Sequence, residues 1–225
     1  MVSDFDAAAG RYTTIAREHR SELEIKRSRF ITVLRRTETE QQARELVAEL
    51  RREFHDARHH CSAFVLGPDR AVQRSNDDGE PSGTAGIPML EALTKRETFD
   101  GSADLSDITA VTVRYFGGIL LGAGGLVRAY SESVSLALSS APLLRRRRMQ
   151  LYAVTAGHAG AGRLENDLRS AGYSIRGTDY GPGGATITVA LPDAAGVAAA
   201  FSDRLASLTA GGTAPEPLAT EWIDL

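Results

Sequence analysis

The segment Arg114-Tyr-Phe-Gly-Gly-Ile-Leu-Leu-Gly-Ala-Gly-Gly-Leu-Val-Arg-Ala-Tyr130 sets five glycines, Gly117, Gly118, Gly122, Gly124 and Gly125, into nine positions. A β-branched run precedes them and an alanine-rich amphipathic run follows. A strand that enters a glycine loop and leaves it as a helix turns several backbone N–H groups toward one point, which attracts anions. Arg114 and Arg128 flank the loop with charge. The expected chemistry is recognition of phosphate by main-chain donors at Gly117, Gly118, Gly122, Gly124 and Gly125, with charge-assisted bonds from the two guanidiniums.

A second segment, Arg74-Ser-Asn-Asp-Asp-Gly-Glu-Pro-Ser-Gly-Thr-Ala-Gly86, also ends in small residues that open a helix. Thr84 and Gly86 are therefore expected to offer further N–H donors to the same ligand, the two helix starts converging on one groove. Asp77, Asp78 and Glu80 are close together and would line it. Such carboxylates can hold Mg²⁺ through water, but acidic residues are ordinary turn chemistry, and no metal is assigned. In His55-Asp-Ala-Arg-His-His-Cys61, no second Cys/His pair exists elsewhere to close a tetrahedral zinc site. His60 is expected to line the groove and Cys61 to be a small buried side chain. No serine-hydrolase elbow, HExxH, Walker lysine or dinucleotide fingerprint is present, and no cofactor is expected.

The elements that position these residues follow from periodicity. Tyr12–Ile25 and Phe30–Arg35 read as antiparallel strands. Thr37 with Glu40 forms a capping box for a helix whose apolar stripe is Ala43, Leu46, Val47, Leu50 and Phe54. Cys61–Leu66 and Ala71–Arg74 read as a hairpin. A helix starts near Thr84, with Pro88 tolerable only in its first turn. In the strand Ile108–Phe116, Val111, Val113 and Tyr115 share one face and Thr112 and Arg114 the other. The helix after the glycine loop buries Val127, Tyr130, Val134 and Leu138 and stops before Pro142. The run Arg145–Arg148 reads as a solvated linker at a domain boundary. Beyond it come a strand (Met149–Thr155), a helix (Ala159–Ala171), two strands around Gly181–Gly184, a helix capped by Asp193 and a last strand near Leu218–Ile223. This βαββαβ order is the ferredoxin-like split motif.

The totals exclude several classes. With 42% apolar and 24% charged residues in 225, the chain is an ordinary globule long enough for one large or two modest domains. No apolar run approaches the roughly 20 residues that span a bilayer. The opening Met-Val-Ser-Asp-Phe-Asp lacks a basic and apolar leader, and a single cysteine, Cys61, suits a reducing compartment, so a cytoplasmic location is expected. Net charge is −3. Cations are 24 arginines against two lysines, a skew of coding bias rather than chemistry. From Met149 to Leu225 there are four arginines against eight acids, so the second domain is no basic platform.

Lys26-Arg-Ser-Arg-Phe-Ile31, His60-Cys-Ser-Ala-Phe64, Asp77 to Gly86 and Arg114 to Tyr130 resemble the YigZ/IMPACT family, the likeness spanning residues 11–142. The resemblance implies an α+β protein: an N-terminal domain over residues 1–144 like domain 2 of ribosomal protein S5, then a ferredoxin-like domain over residues 149–225. It implies that both glycine motifs line one groove, with Asp77, Asp78, Glu80, Arg114 and Arg128 around it. Eukaryotic members of the family use an additional RWD domain to bind the activator of an initiation-factor kinase. Only about ten residues precede the first strand here, so neither that domain nor that partner is expected. The function implied is a translation-linked, non-enzymatic protein that binds RNA or a ribosomal component. The alternatives are an enzyme acting on a phosphorylated small molecule with Mg²⁺, and a protein-interaction module in translational regulation with Tyr180 and Trp222 on its docking face.

Overall fold

The computed structural model describes residues 10–225; the reading of the first six residues as lacking a leader lies outside the described residues. The chain divides into two compact units, one over Tyr12–Arg145 and one over Arg146–Leu225 together with Gly10 and Arg11. The fold is α+β, built on antiparallel sheets with five α-helices among the described residues.

The first unit is built from β1 (Arg11–Ile15), β2 (His19–Ile25), β3 (Ser28–Arg36), α1 (Glu40–Glu53), β4 (His59–Leu66), β5 (Val72–Asn76), α2 (Gly86–Thr94), β6 (Ile108–Tyr115) and α3 (Ala123–Ser140). Its main sheet has the order β2-β3-β6-β4-β5, all four pairings antiparallel. The central strand β6 is buried along its length until Tyr115, because both of its faces are covered. On one face Ile108 and Ala110 join Phe30, Cys61, Met89, Tyr130 and Val134 in a core under α2 and α3. On the other, Val33 and Val111 meet Leu46 and Leu50 of α1. Each fully buried side chain of this size is worth about 1.5–3 kcal/mol of hydrophobic stabilisation. Phe30 and Tyr130 meet edge to face with ring centroids 5.2 Å apart.

Several boundaries differ from those the sequence suggests. The stretch Tyr12–Ile25 is two strands, broken at residues 16–18. The cap of α1 is Thr39, not Thr37: its side chain accepts the Gln42 N–H (3.2 Å), while Gln42 Oε1 accepts the Glu38 N–H (2.6 Å). Thr37 lies two residues too early and bonds Thr109 across the buried sheet (2.6 Å) instead. In α3 the buried stripe is Leu126, Ala129, Tyr130, Ser133, Val134, Ala137 and Leu138. Val127 falls outside it and is 38% exposed.

The second unit follows the order β7 (Leu143–Ala156), α4 (His158–Ser170), β8 (Ser174–Gly181), β9 (Gly184–Pro192), α5 (Val197–Thr209) and β10 (Glu216–Asp224), β7 beginning within the first unit. In its sheet β9 lies between β8 and β7, and β10 pairs with β7, each pairing antiparallel. Val154, Ile187, Val189 and Leu191 bury one face of that sheet against Leu164 and Leu168 of α4 and Phe201 and Leu205 of α5. The run Arg145–Arg148 is no linker. It is part of β7, where pairing matches its charge: Arg146 to Asp224 (3.0 Å), Arg148 to Asp193 (2.7 Å) and Arg145 to Asp100. Asp193 is thereby used, and α5 starts from Gly196 in a left-handed conformation.

Candidate functional site

The glycine loop is bounded by the last residues of β6 and the first turn of α3. Gly117 is there for close approach: a Cβ would lie 2.0 Å from the carbonyl carbon of Arg27. The loop is thereby pressed onto the Lys26–Arg27 turn that joins β2 to β3, and the Gly117 N–H donates to Ser28 Oγ (3.2 Å). Lys26 and Arg27 both take positive φ (48° and 64°) to close a two-residue hairpin. Both are exposed, and neither forms an ion pair among the described residues.

Gly118 leads to a surface of apolar side chains: Phe116 is 54% exposed, Ile119 42% and Leu120 83%. Gly122, at φ 71°, opens α3. The first bond across that helix start is Leu126 N–H to the Gly122 carbonyl (2.9 Å). The N–H groups of Ala123, Gly124 and Gly125 precede it and receive no side-chain cap among the described residues. Arg128, exposed one and a half turns on, forms no ion pair among the described residues.

The second glycine motif is arranged differently, and the expectation for its donors is corrected. The Asp77 carboxylate already occupies the start of α2, accepting N–H bonds from Gly83 (2.7 Å), Ala85 (3.0 Å) and Gly86 (2.7 Å). Burial works to raise the Asp77 pKa, but the three donors outweigh it and hold the carboxyl below its usual value. Thr84 directs both its N–H (3.0 Å) and its hydroxyl (2.7 Å) to the Pro81 carbonyl. Neither Thr84 nor Gly86 therefore has a donor for an outside anion: the Pro81 carbonyl takes those of Thr84 and the Asp77 carboxylate that of Gly86.

Arg114 is likewise turned inward. It is 7% exposed and pairs with Glu80 at 2.7 Å; its guanidinium carbon lies 5.6 Å from the Phe30 ring centre and 5.7 Å from that of Phe116. Glu80 also accepts the Tyr130 hydroxyl (2.8 Å), and Cys61 Sγ lies 3.3 Å from that hydroxyl. Burial is the main force pushing up the Cys61 thiol, to about 12, and the Tyr130 phenol. The two motifs do meet, then, but through a buried ion pair rather than an open groove.

Asp77, Asp78 and Glu80 have three separate tasks, and among the described residues no group of His, Cys, Asp and Glu converges as metal ligands would. Asp78 accepts the His60 backbone N–H (2.6 Å) and pairs with Arg51. His60 is 3% exposed, on the α1 side of the sheet, away from the glycine loop's helix. Burial first, then the Arg51 charge, hold its pKa below the usual histidine range, with Asp78 pulling the other way. What remains as a surface is the loop itself: Gly118, Gly122, Gly124, Gly125 and Arg128, joined by Lys26 and Arg27. Sequence reasoning gave those two no role, since a Lys-Arg turn carries none of the Asn-Gly or Asp-Gly chemistry that marks a tight hairpin.

Residues 26–138 match the Impact N-terminal domain, and residues 154–211 match a domain of unknown function (DUF1949). The IMPACT family member YvyE of Bacillus subtilis is 43% identical over 169 residues, 75% of this chain and 75% of that protein. The family member YigZ of Escherichia coli is 42% identical over 190 residues, 84% of this chain and 88% of that protein. A crystal structure of a hypothetical protein is similar with a TM-score of 0.60 at 37% identity, covering 93% of this chain and 98% of that one.

Proposed function

The chain belongs to the IMPACT family, and on that footing we propose that it binds RNA of the translation machinery through the tip of the glycine loop. The observation that carries this reading is the start of α3 with no side-chain cap among the described residues, on a loop whose Gly117 is packed on the Lys26–Arg27 turn, together with three exposed cations, Lys26, Arg27 and Arg128, that form no ion pair among those residues. The N–H groups of Ala123, Gly124 and Gly125 would take a phosphate, with Arg128, Lys26 and Arg27 supplying charge around it. Phe116 and Leu120 would lie against bases, Phe116 with one ring face already near the Arg114 guanidinium. The partner is a flexible single strand, because exposed apolar side chains stack on splayed bases and cannot read a closed duplex. In this reading the first unit has the fold of ribosomal protein S5 domain 2. The second is ferredoxin-like, supported by the β10-β7-β9-β8 strand order. Among the described residues no helix is long and apolar enough to cross a membrane.

The test is fluorescence anisotropy of a labelled single-stranded RNA across a salt series. Replacing Lys26, Arg27 and Arg128 by alanine removes three phosphate contacts, so the slope of log affinity against log salt should fall by about 2. An unchanged slope, or no binding by the wild type at low salt, refutes the proposal.

A further inference from the structure

On the face of the first sheet that carries α1, the helix covers the centre and leaves the β5 edge open. Strand alternation turns His60, Ser62 and Phe64 of β4 toward this face, in register with Val113, Val111 and Thr109 of β6, and places Asn76 and Arg74 of β5 beside Ser62 and Phe64. The facing side of α1 presents Glu40, Ala43, Arg44, Val47 and Arg51, spaced as one helical stripe. Between helix and strands lies a groove of about 330 Å³, the size of a small-ligand site.

Its polar groups are unevenly matched. Arg44 (3.3 Å) and Arg74 (4.0 Å) share the single carboxylate of Glu40, so one positive charge is left over. Both arginine side chains are 64% exposed, and a pair so exposed contributes little to stability and yields readily to a better anion. At the inner end His60 Nε2 lies 3.2 Å from the Phe54 carbonyl and donates to it, which makes Nδ1 the lone-pair nitrogen. That Nδ1 is buried, has no hydrogen-bond partner among the described residues, and lies 3.9 Å from Asp78 Oδ2, too far for a bond. A buried acceptor left unmet costs free energy until a donor reaches it. Ser62 and Asn76 add hydroxyl and amide groups along the floor, and Val47 and Phe64 an apolar wall.

We propose that this groove binds a phosphomonoester that also carries hydroxyl groups, such as a sugar phosphate. The phosphate replaces Glu40 as the partner of Arg44 and Arg74, and a hydroxyl donates to His60 Nδ1. Arg51 stays bound to Asp78 and closes the inner end. The site is separate from the glycine loop and does not depend on the RNA reading.

Calorimetric titration with ribose 5-phosphate, inorganic phosphate and ribose tests it. Ribose 5-phosphate should bind more tightly than either part alone, and Arg44→Ala with Arg74→Ala should weaken it by roughly tenfold or more, the loss of charge-assisted bonds. In ¹⁵N spectra the His60 Nδ1 resonance should move with ribose 5-phosphate and stay put with inorganic phosphate. The Lys26, Arg27 and Arg128 alanine variant should bind as the wild type does. A 5′-phosphorylated RNA trinucleotide, compared with its 5′-hydroxyl form, separates the sources: equal dependence on Arg44 and Arg74 assigns the groove to an RNA end, dependence of ribose 5-phosphate alone to a free metabolite. Ribose 5-phosphate binding no tighter than ribose, or unaffected by the two substitutions, overturns the proposal.

Discussion

Glu80→Gln should be among the most damaging single substitutions in the first unit. Glu80 and Arg114 bury side chains that are 3% and 7% exposed and meet at 2.7 Å. Removing one partner of such a pair leaves the other charge uncompensated, at a cost of about 3–5 kcal/mol. The two halves are not equivalent. A carboxylate stranded by Arg114→Met can discharge by taking a proton, whereas the guanidinium stranded by Glu80→Gln cannot. Glu80→Gln should therefore cost more than Arg114→Met. With a urea slope of about 2 kcal/mol/M, the two should lower the midpoint by about 2 M at neutral pH. The double variant Glu80→Met with Arg114→Met removes both charges and should recover part of the loss, since apolar replacement of a buried pair is often tolerated. Circular dichroism during urea unfolding reads both units together. Trp222 fluorescence, from the only tryptophan, follows the second unit in the same sample. Single variants losing less than about 1 kcal/mol, or a double variant worse than both, would refute the assignment of this pair as a buried staple.

Two further outcomes follow from backbone contacts. Gly117→Ala drives a methyl group against the Arg27 backbone, which cannot move without opening the β2–β3 turn, so it should cost about 4 kcal/mol or prevent folding; normal thermal unfolding of that variant would contradict the packing. Asp77→Asn should cost about 2 kcal/mol at neutral pH, through the charge-assisted bonds at the start of α2. Because the folded Asp77 carboxyl sits below the unfolded value of about 3.9, its contribution is complete above that pH and disappears as pH falls through the folded value. Urea midpoints of wild type and variant should thus converge on acidification, and a gap that widens in acid would contradict the sign.

Local periodicity carried most of the elements. The stripe of α1, the alternation in β6 and the βαββαβ order of the second unit are short-range patterns that one chain displays by itself. The glycine density likewise marked the loop correctly in place. What the sequence could not supply was the partner of each polar group. Arg114 finds Glu80 across 34 residues, and its burial follows from lying on the β6 face under α3, which no spacing announces. Asp77 looked like a groove residue because nothing local distinguishes a carboxylate that caps a helix through an intervening turn from one left in water. The α1–β5 groove was hidden for a related reason. Arg44 and Arg51 lie seven residues apart on one helix face, an ordinary surface pattern, and they become a site only where packing lays that face along Arg74.

Glu80 also governs how the loop is held. Its carboxylate receives Arg114 from the strand that enters the loop and Tyr130 from the helix that leaves it, so both pillars of the arch stand on one keystone. A free peptide with Phe116, Ile119 and Leu120 would curl those side chains together away from water. Clamped at both feet and pinned at Gly117, the arch has no such escape and keeps those side chains at its surface. A partner meeting it has little disorder left to freeze, which favours a snug contact from few residues.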